Sequence, residues 1–188
     1  MASSFGPSAL ATPANAVTFA RLLCAPALWI VILATAPSYG ALVVWILLAA
    51  TDGVDGYLAR RQGTTRSGAF LDPLADKALV LGAMWALVIS GGFWWVPVAL
   101  ITVRELGISV FRSYWGRRGL AVPASFWGKV KTVVQSVAVG LALLPPVAED
   151  HAWAASMVLW AAVALTLVSG AQYLIEGSRA TASGGVRA

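Results

Sequence analysis

From Leu22 to Thr51 the chain carries no charged residue. Only Ala36-Pro37-Ser38-Tyr39-Gly40, a run of turn formers, interrupts its apolar character. A bilayer span needs about 20 apolar residues, so this stretch is long enough to cross twice. The rest of the chain repeats the pattern. Charged residues make up 11% of the 188, under half of the roughly 25% usual in soluble domains. That is too little polar surface to face water on every side. It disfavours a soluble enzyme, a disordered chain and a nucleic-acid-binding arm. The net charge is +5, with basic residues gathered at helix ends. That placement suits anionic lipid headgroups or phosphorylated substrates rather than nucleic acid.

The expected fold is an all-α integral membrane protein with six transmembrane helices, near 16–36, 41–61, 71–90, 93–115, 125–144 and 153–175. Three connections, around Pro37–Gly40, Gly91–Trp95 and Pro145–His151, hold no Lys or Arg, and their only charges are Glu149 and Asp150. The other side gathers Arg60, Arg61, Arg66, Arg112, Arg117, Arg118, Lys129, Lys131 and Arg179. By the positive-inside rule that side is cytoplasmic, with both termini on it and the chain in the plasma membrane. Residues 1–20 lack the basic flank of a secretory signal, so the first helix is expected to be retained. No pair of broken helices suggests an inverted-repeat transporter. Cys24 reads as a small core residue and His151 as a surface histidine. Trp94, Trp95, Trp115, Trp127 and Trp153 read as an interfacial belt, and 177–188 as a flexible tail.

Four of the eight acidic residues fall in one window. Asp52 and Asp55 are i, i+3 on the last turns of the second span. Asp72 and Asp76 are i, i+4 on the first turns of the third. Each pair therefore shares a helix face, and the short connection brings the pairs together at the cytoplasmic edge. Such carboxylates repel one another unless cations neutralise them. Oxygen ligands without nearby His or Cys select hard ions such as Mg²⁺ or Mn²⁺, and two ions about 4 Å apart are used in phosphoryl chemistry. Solvated helix ends would account for Asp72 and Asp76, but the helix dipole disfavours Asp52 and Asp55 at a C-terminus. Gly56 and Ala59, on the face of Asp52, let a flat ligand approach closely. Arg60 offers a bidentate donor for phosphate.

The window resembles the signature of the CDP-alcohol phosphotransferase family, D-x-x-D-G-x-x-A-R followed by G-x-x-x-D-x-x-x-D. Asp52, Asp55, Gly56, Ala59, Arg60, Gly68, Asp72 and Asp76 match in order, with the connecting stretch 61–67 one residue shorter than the family's. Pro13-Ala14-Asn15 with Thr18 and Arg21 resembles the family's P-N-x-x-T-x-x-R opening, Ala14 being inserted. Arg104-Glu105, Arg112 and Gly128-Lys129-Val130-Lys131-Thr132 resemble the branch that joins CDP-diacylglycerol to glycerol 3-phosphate. The likeness covers nearly the whole chain and implies one membrane domain over 1–188.

What the resemblance implies is a transferase of phospholipid biosynthesis that gives phosphatidylglycerophosphate and CMP. Asp52, Asp55, Asp72 and Asp76 are the metal ligands, for Mg²⁺ or Mn²⁺, and Asp76 is also the general base. Asn15, Thr18, Gly56, Ala59, Arg60, Thr65 and Gly68 contact CDP-diacylglycerol, although Asn15 and Thr18 serve equally well as polar caps. Arg104, Arg112 and Lys129 bind the acceptor phosphate. Arg104 is the most telling of these, because an arginine deep in a span faces a polar cavity. Glu105 reads as an ion-pair partner and Lys131 as a snorkelling lipid anchor. A homodimer is implied as well. The alternative within the family is a cardiolipin synthase, which takes phosphatidylglycerol as acceptor. An ion pathway would place its carboxylates mid-membrane, and a scaffold gives no reason for clustered acids.

Overall fold

The structure, a computed structural model, describes residues 13–62, 68–117 and 126–184, with side chains over 19–51, 75–111 and 130–172. Every regular element among them is helical. In order they are α1 (Pro13–Thr35), α2 (Tyr39–Gln62), α3 (Gly68–Ile89), α4 (Trp95–Arg117), α5 (Phe126–Leu143), α6 (Pro145–Asp150) and α7 (Ala152–Gly184). The six expected helices coincide with α1 to α5 and α7.

The helix ends follow from local chemistry. Ser38 caps α2, its Oγ accepting the Ala41 N–H at 3.1 Å. After α3, Gly91 turns to a φ of +84°, a left-handed conformation that glycine adopts without strain. The N–H groups of Gly91 and Gly92 then reach back to the carbonyls of Val88 and Leu87 at 3.2 and 2.8 Å.

Two elements depart from the sequence reading. Pro145 and Pro146, expected to open a loop, stop α5 and then start the short α6, since a helix needs no N–H at its first positions. The stretch 177–184, expected within a flexible tail, continues α7 as helix.

α1 packs on α2 and α3, α5 packs on α7, α4 leans on α3 and α7, and both α2 and α3 reach α5. α1 turns Ala25, Leu28 and Ile32 inward, a stripe at i, i+3 and i+7. Cys24, expected in the core, lies off this stripe and is exposed. Outward faces are strongly apolar, with Leu23 78%, Val103 72% and Val110 70% exposed, a surface that suits lipid better than water. Among the described residues one helix, Ala152–Gln172, is long and apolar enough to cross a membrane, and Phe19–Thr35, Tyr39–Thr51 and Val130–Leu143 are shorter apolar helices. Trp94, Trp95, Trp153 and His151 are exposed near helix ends, as expected. The side chains of Trp115 and Trp127 lie outside the described residues.

α1 and α3 meet tightly where the Trp29 indole lies over Gly82. A Cβ at Gly82 would stand 2.2–2.4 Å from that ring, so a side chain cannot be added without moving the ring. Gly82→Ala is expected to destabilise by about 1–3 kcal/mol through overpacking. Gly107→Ala, inside α4 where an added Cβ meets nothing within 4 Å, should be neutral or stabilise by up to about 1 kcal/mol. Unfolding titrations in mixed micelles check both.

Candidate active site

α2, α3 and α5 enclose a cleft of about 550 Å³. Its polar lining residues are Asp76 of α3, Thr132 at the start of the α5 wall, and Ser136 a turn further along α5. From there it runs down an apolar wall of Ala49, Trp45 and Leu42 on α2 to Leu144 beyond α5. Thr132 and Leu144 are separated by roughly 18 Å at the rise of an α-helix. Val133, Val137 and Ile46 line it and are also exposed, so the cleft is open along one side.

Of the four expected carboxylates, Asp76 lines the polar end of the cleft. α2 passes the cleft with Ala49 and reaches Asp52 three residues on, with Asp55 a turn further. α3 carries Asp72 and Asp76 on its first turns. Asp76 is the one whose side chain is described. The side chains of Asp52, Asp55, Asp72, Asn15, Thr18, Gly56, Ala59, Arg60, Gly68, Arg112 and Lys129 lie outside the described residues, and Thr65 lies outside them altogether. Among the described residues no three of His, Cys, Asp and Glu come together. The donor set itself, oxygen ligands at one-turn spacing on two helices, fits a hard divalent ion.

Beside Asp76 the interior holds a charged layer. Glu105 of α4, 7% exposed, accepts from Lys131 of α5 and from Arg104 at 3.1 Å. Lys77 of α3 stands 4.0 Å from its other oxygen and donates to its backbone carbonyl at 3.2 Å. Arg104 also donates to Ser169 Oγ of α7 at 2.7 Å, and Gln135 of α5 donates to Thr166 Oγ1 at 3.2 Å. Asp76 and Lys77 both lie within Coulombic range of Lys131. The reading of Glu105 as an ion-pair partner holds. That of Lys131 as a lipid anchor does not. It is 6% exposed and pairs with the buried Glu105, a carboxylate that would be costly to leave without a cation. Arg104 is a member of this layer and lies over Gly170 of α7.

Arg21 of α1 is also drawn into the interior. It is 2% exposed, and its Nε donates to Thr51 Oγ1 at 3.1 Å, next to Asp52 in the chain. Its signal was present, since a lone cation facing the uncharged run 22–51 has to find a polar partner inside. Lys131 with Gln135, and Thr166 with Ser169, carried the same signal as polar residues at helical spacing.

Residues 11–168 match the CDP-alcohol phosphatidyltransferase family. A protein of Mycobacterium tuberculosis (strain H37Rv) named "Probable phosphatidylglycerophosphate synthase" is 41% identical over 191 aligned positions, which cover 95% of this chain and 90% of that protein. The CDP-diacylglycerol–glycerol-3-phosphate 3-phosphatidyltransferase of Escherichia coli (strain K12) is 40% identical over 144 positions, covering 72% and 77% of the two chains. The chain therefore belongs to the CDP-alcohol phosphatidyltransferase family. It is a transferase of phospholipid biosynthesis, and its substrate is a CDP-alcohol.

Removing one partner of a buried ion pair leaves the other charge uncompensated. Glu105→Gln is expected to cost about 3–5 kcal/mol. Adding Lys131→Met to it should recover part of that loss, which a double-mutant cycle on thermal unfolding measures directly.

Proposed function

We propose that the chain transfers the phosphatidyl group of CDP-diacylglycerol to glycerol 3-phosphate, giving phosphatidylglycerophosphate and CMP. The names of its relatives support this, and one observation carries it: Asp76 stands at the polar head of an apolar cleft. The cleft's roughly 18 Å length is close to one leaflet, half of a hydrocarbon core about 30 Å thick. An acyl chain of the donor fits along it with the pyrophosphate at the level of the carboxylates.

In this reading Asp52, Asp55, Asp72 and Asp76 hold two Mg²⁺ or Mn²⁺ ions. Bound there, the ions would offset charge on the pyrophosphate oxygens and the leaving group. Gly56, Ala59 and Arg60 cradle the nucleotide, helped by Asn15, Thr18, Thr65 and Gly68. The Asp76 carboxylate takes the proton from the acceptor hydroxyl. The hydroxyl oxygen bonds to the phosphorus that carries diacylglycerol, the bond from that phosphorus to the bridging oxygen breaks, and CMP leaves with the oxygen. Arg112 and Lys129 receive the acceptor phosphate. Arg104 of α4, which also bonds to Glu105 and Ser169, joins them in binding that phosphate.

The reading includes six membrane-spanning helices, both termini and the carboxylates on the cytoplasmic face of the plasma membrane, and a homodimer. The arginines and lysines gathered at one end of the helices support the orientation. In a Cys24→Ser background, a cysteine at exposed His151 should react with an impermeant thiol reagent from outside intact cells.

The direct test offers the purified protein CDP-diacylglycerol and Mg²⁺ with glycerol 3-phosphate or phosphatidylglycerol, and measures CMP. Release with glycerol 3-phosphate is expected. Release with phosphatidylglycerol alone would make it a cardiolipin synthase. Asp76→Asn should lower the rate by about 100-fold or more while leaving the unfolding transition in place.

A further inference from the structure

Below Asp76 the cleft is lined by Gly140 of α5 and, facing it, by Trp45 of α2. Its indole is 2% exposed and is held by a hydrogen bond from Nε1 to the Ser136 carbonyl at 3.3 Å. Opposite it on α5 is Gly140. A Cβ added there would stand 3.7 and 3.8 Å from Trp45 Nε1 and Cδ1, and 3.9 Å from Leu42 Cδ1. Those are ordinary contact distances. Alanine therefore fits, and inside a helix alanine is the more stable residue. Packing of α5 on α2 gives no reason for glycine at this position. A larger side chain would have to push Trp45 off its hydrogen bond or project into the cleft.

We infer that Gly140, facing Trp45, is a specificity-determining position for the acyl chain of the donor lipid. Gly140 lies roughly 12 Å below Thr132 and Leu144 roughly 18 Å below it at the rise of an α-helix. The missing side chain keeps the lower third of the cleft in reach of a long chain. With the gap filled, short chains end above the block and long chains meet it. The inference rests on the donor assignment made above, since the cleft's occupant is taken to be CDP-diacylglycerol.

The test compares dioctanoyl and dipalmitoyl CDP-diacylglycerol at equal surface fraction in mixed micelles, with kcat/KM for CMP release as the readout. The measured quantity is the long-to-short ratio, which cancels effects common to both donors. Gly140→Leu is expected to lower that ratio about tenfold and Gly140→Ala about threefold, the size of discrimination that small steric changes in apolar pockets produce. Gly140→Ala adds only ordinary contacts, so it decides the matter if the leucine variant does not fold. An unchanged ratio overturns the inference, and so does an equal loss on both donors. If the unmodified protein releases no CMP from either donor, the donor assignment falls, and this inference falls with it.

Discussion

A single buried carboxylate holds the polar half of this bundle together. Glu105 meets Lys131 of α5, Arg104 of its own helix and Lys77 of α3, and Arg104 carries the connection on to Ser169 of α7. In apolar surroundings each of these charges alone would be costly. Together they let four helices converge on ionic groups in the interior. The general base proposed here, Asp76, is the chain neighbour of Lys77, so its position is tied to this layer through the backbone of α3.

The rest of the molecule is arranged around the contrast that this layer creates. On one side of it, Asp76 of α3 stands at the head of the cleft. On the other, the helices pack through small residues and aromatic rings, as at Gly82 under Trp29. The cleft joins the two regions. Its head carries the carboxylate of Asp76 and the hydroxyl of Thr132, and its wall of Trp45, Leu42 and Leu144 is apolar. A substrate with both characters is matched at both ends by one continuous surface.

The helices were legible because each is a nearly unbroken apolar run ended by Pro, Gly or charge. The carboxylate window stands out in the sequence because charge is rare in this chain and its spacing is regular. What could not be read was which side of a helix faces inward. A soluble helix marks its buried face by contrast with a polar one, and here the outer face is apolar as well. Cys24 and Leu28 look alike in sequence, yet one is exposed and the other buried. Lys131 was misplaced for a related reason. A cation near a helix end has two outlets, the lipid headgroups or a buried anion, and only the tertiary position of Glu105 distinguishes them. α6 was missed because a proline pair reads as a stop, although it is equally compatible with a start.

The open flank of the cleft, where Ile46, Val133 and Val137 are both lining and exposed, bears on traffic. Under the proposed reaction the lipid that arrives and the lipid that departs carry the same two chains and differ only in headgroup. Through a lateral opening, neither has to be lifted out of the hydrocarbon, so exchange is sideways diffusion within one leaflet. The acceptor and CMP travel along the perpendicular route, through water. The two streams meet at Asp76 without sharing a doorway, and turnover then responds to the density of donor per area of membrane rather than to its concentration in bulk.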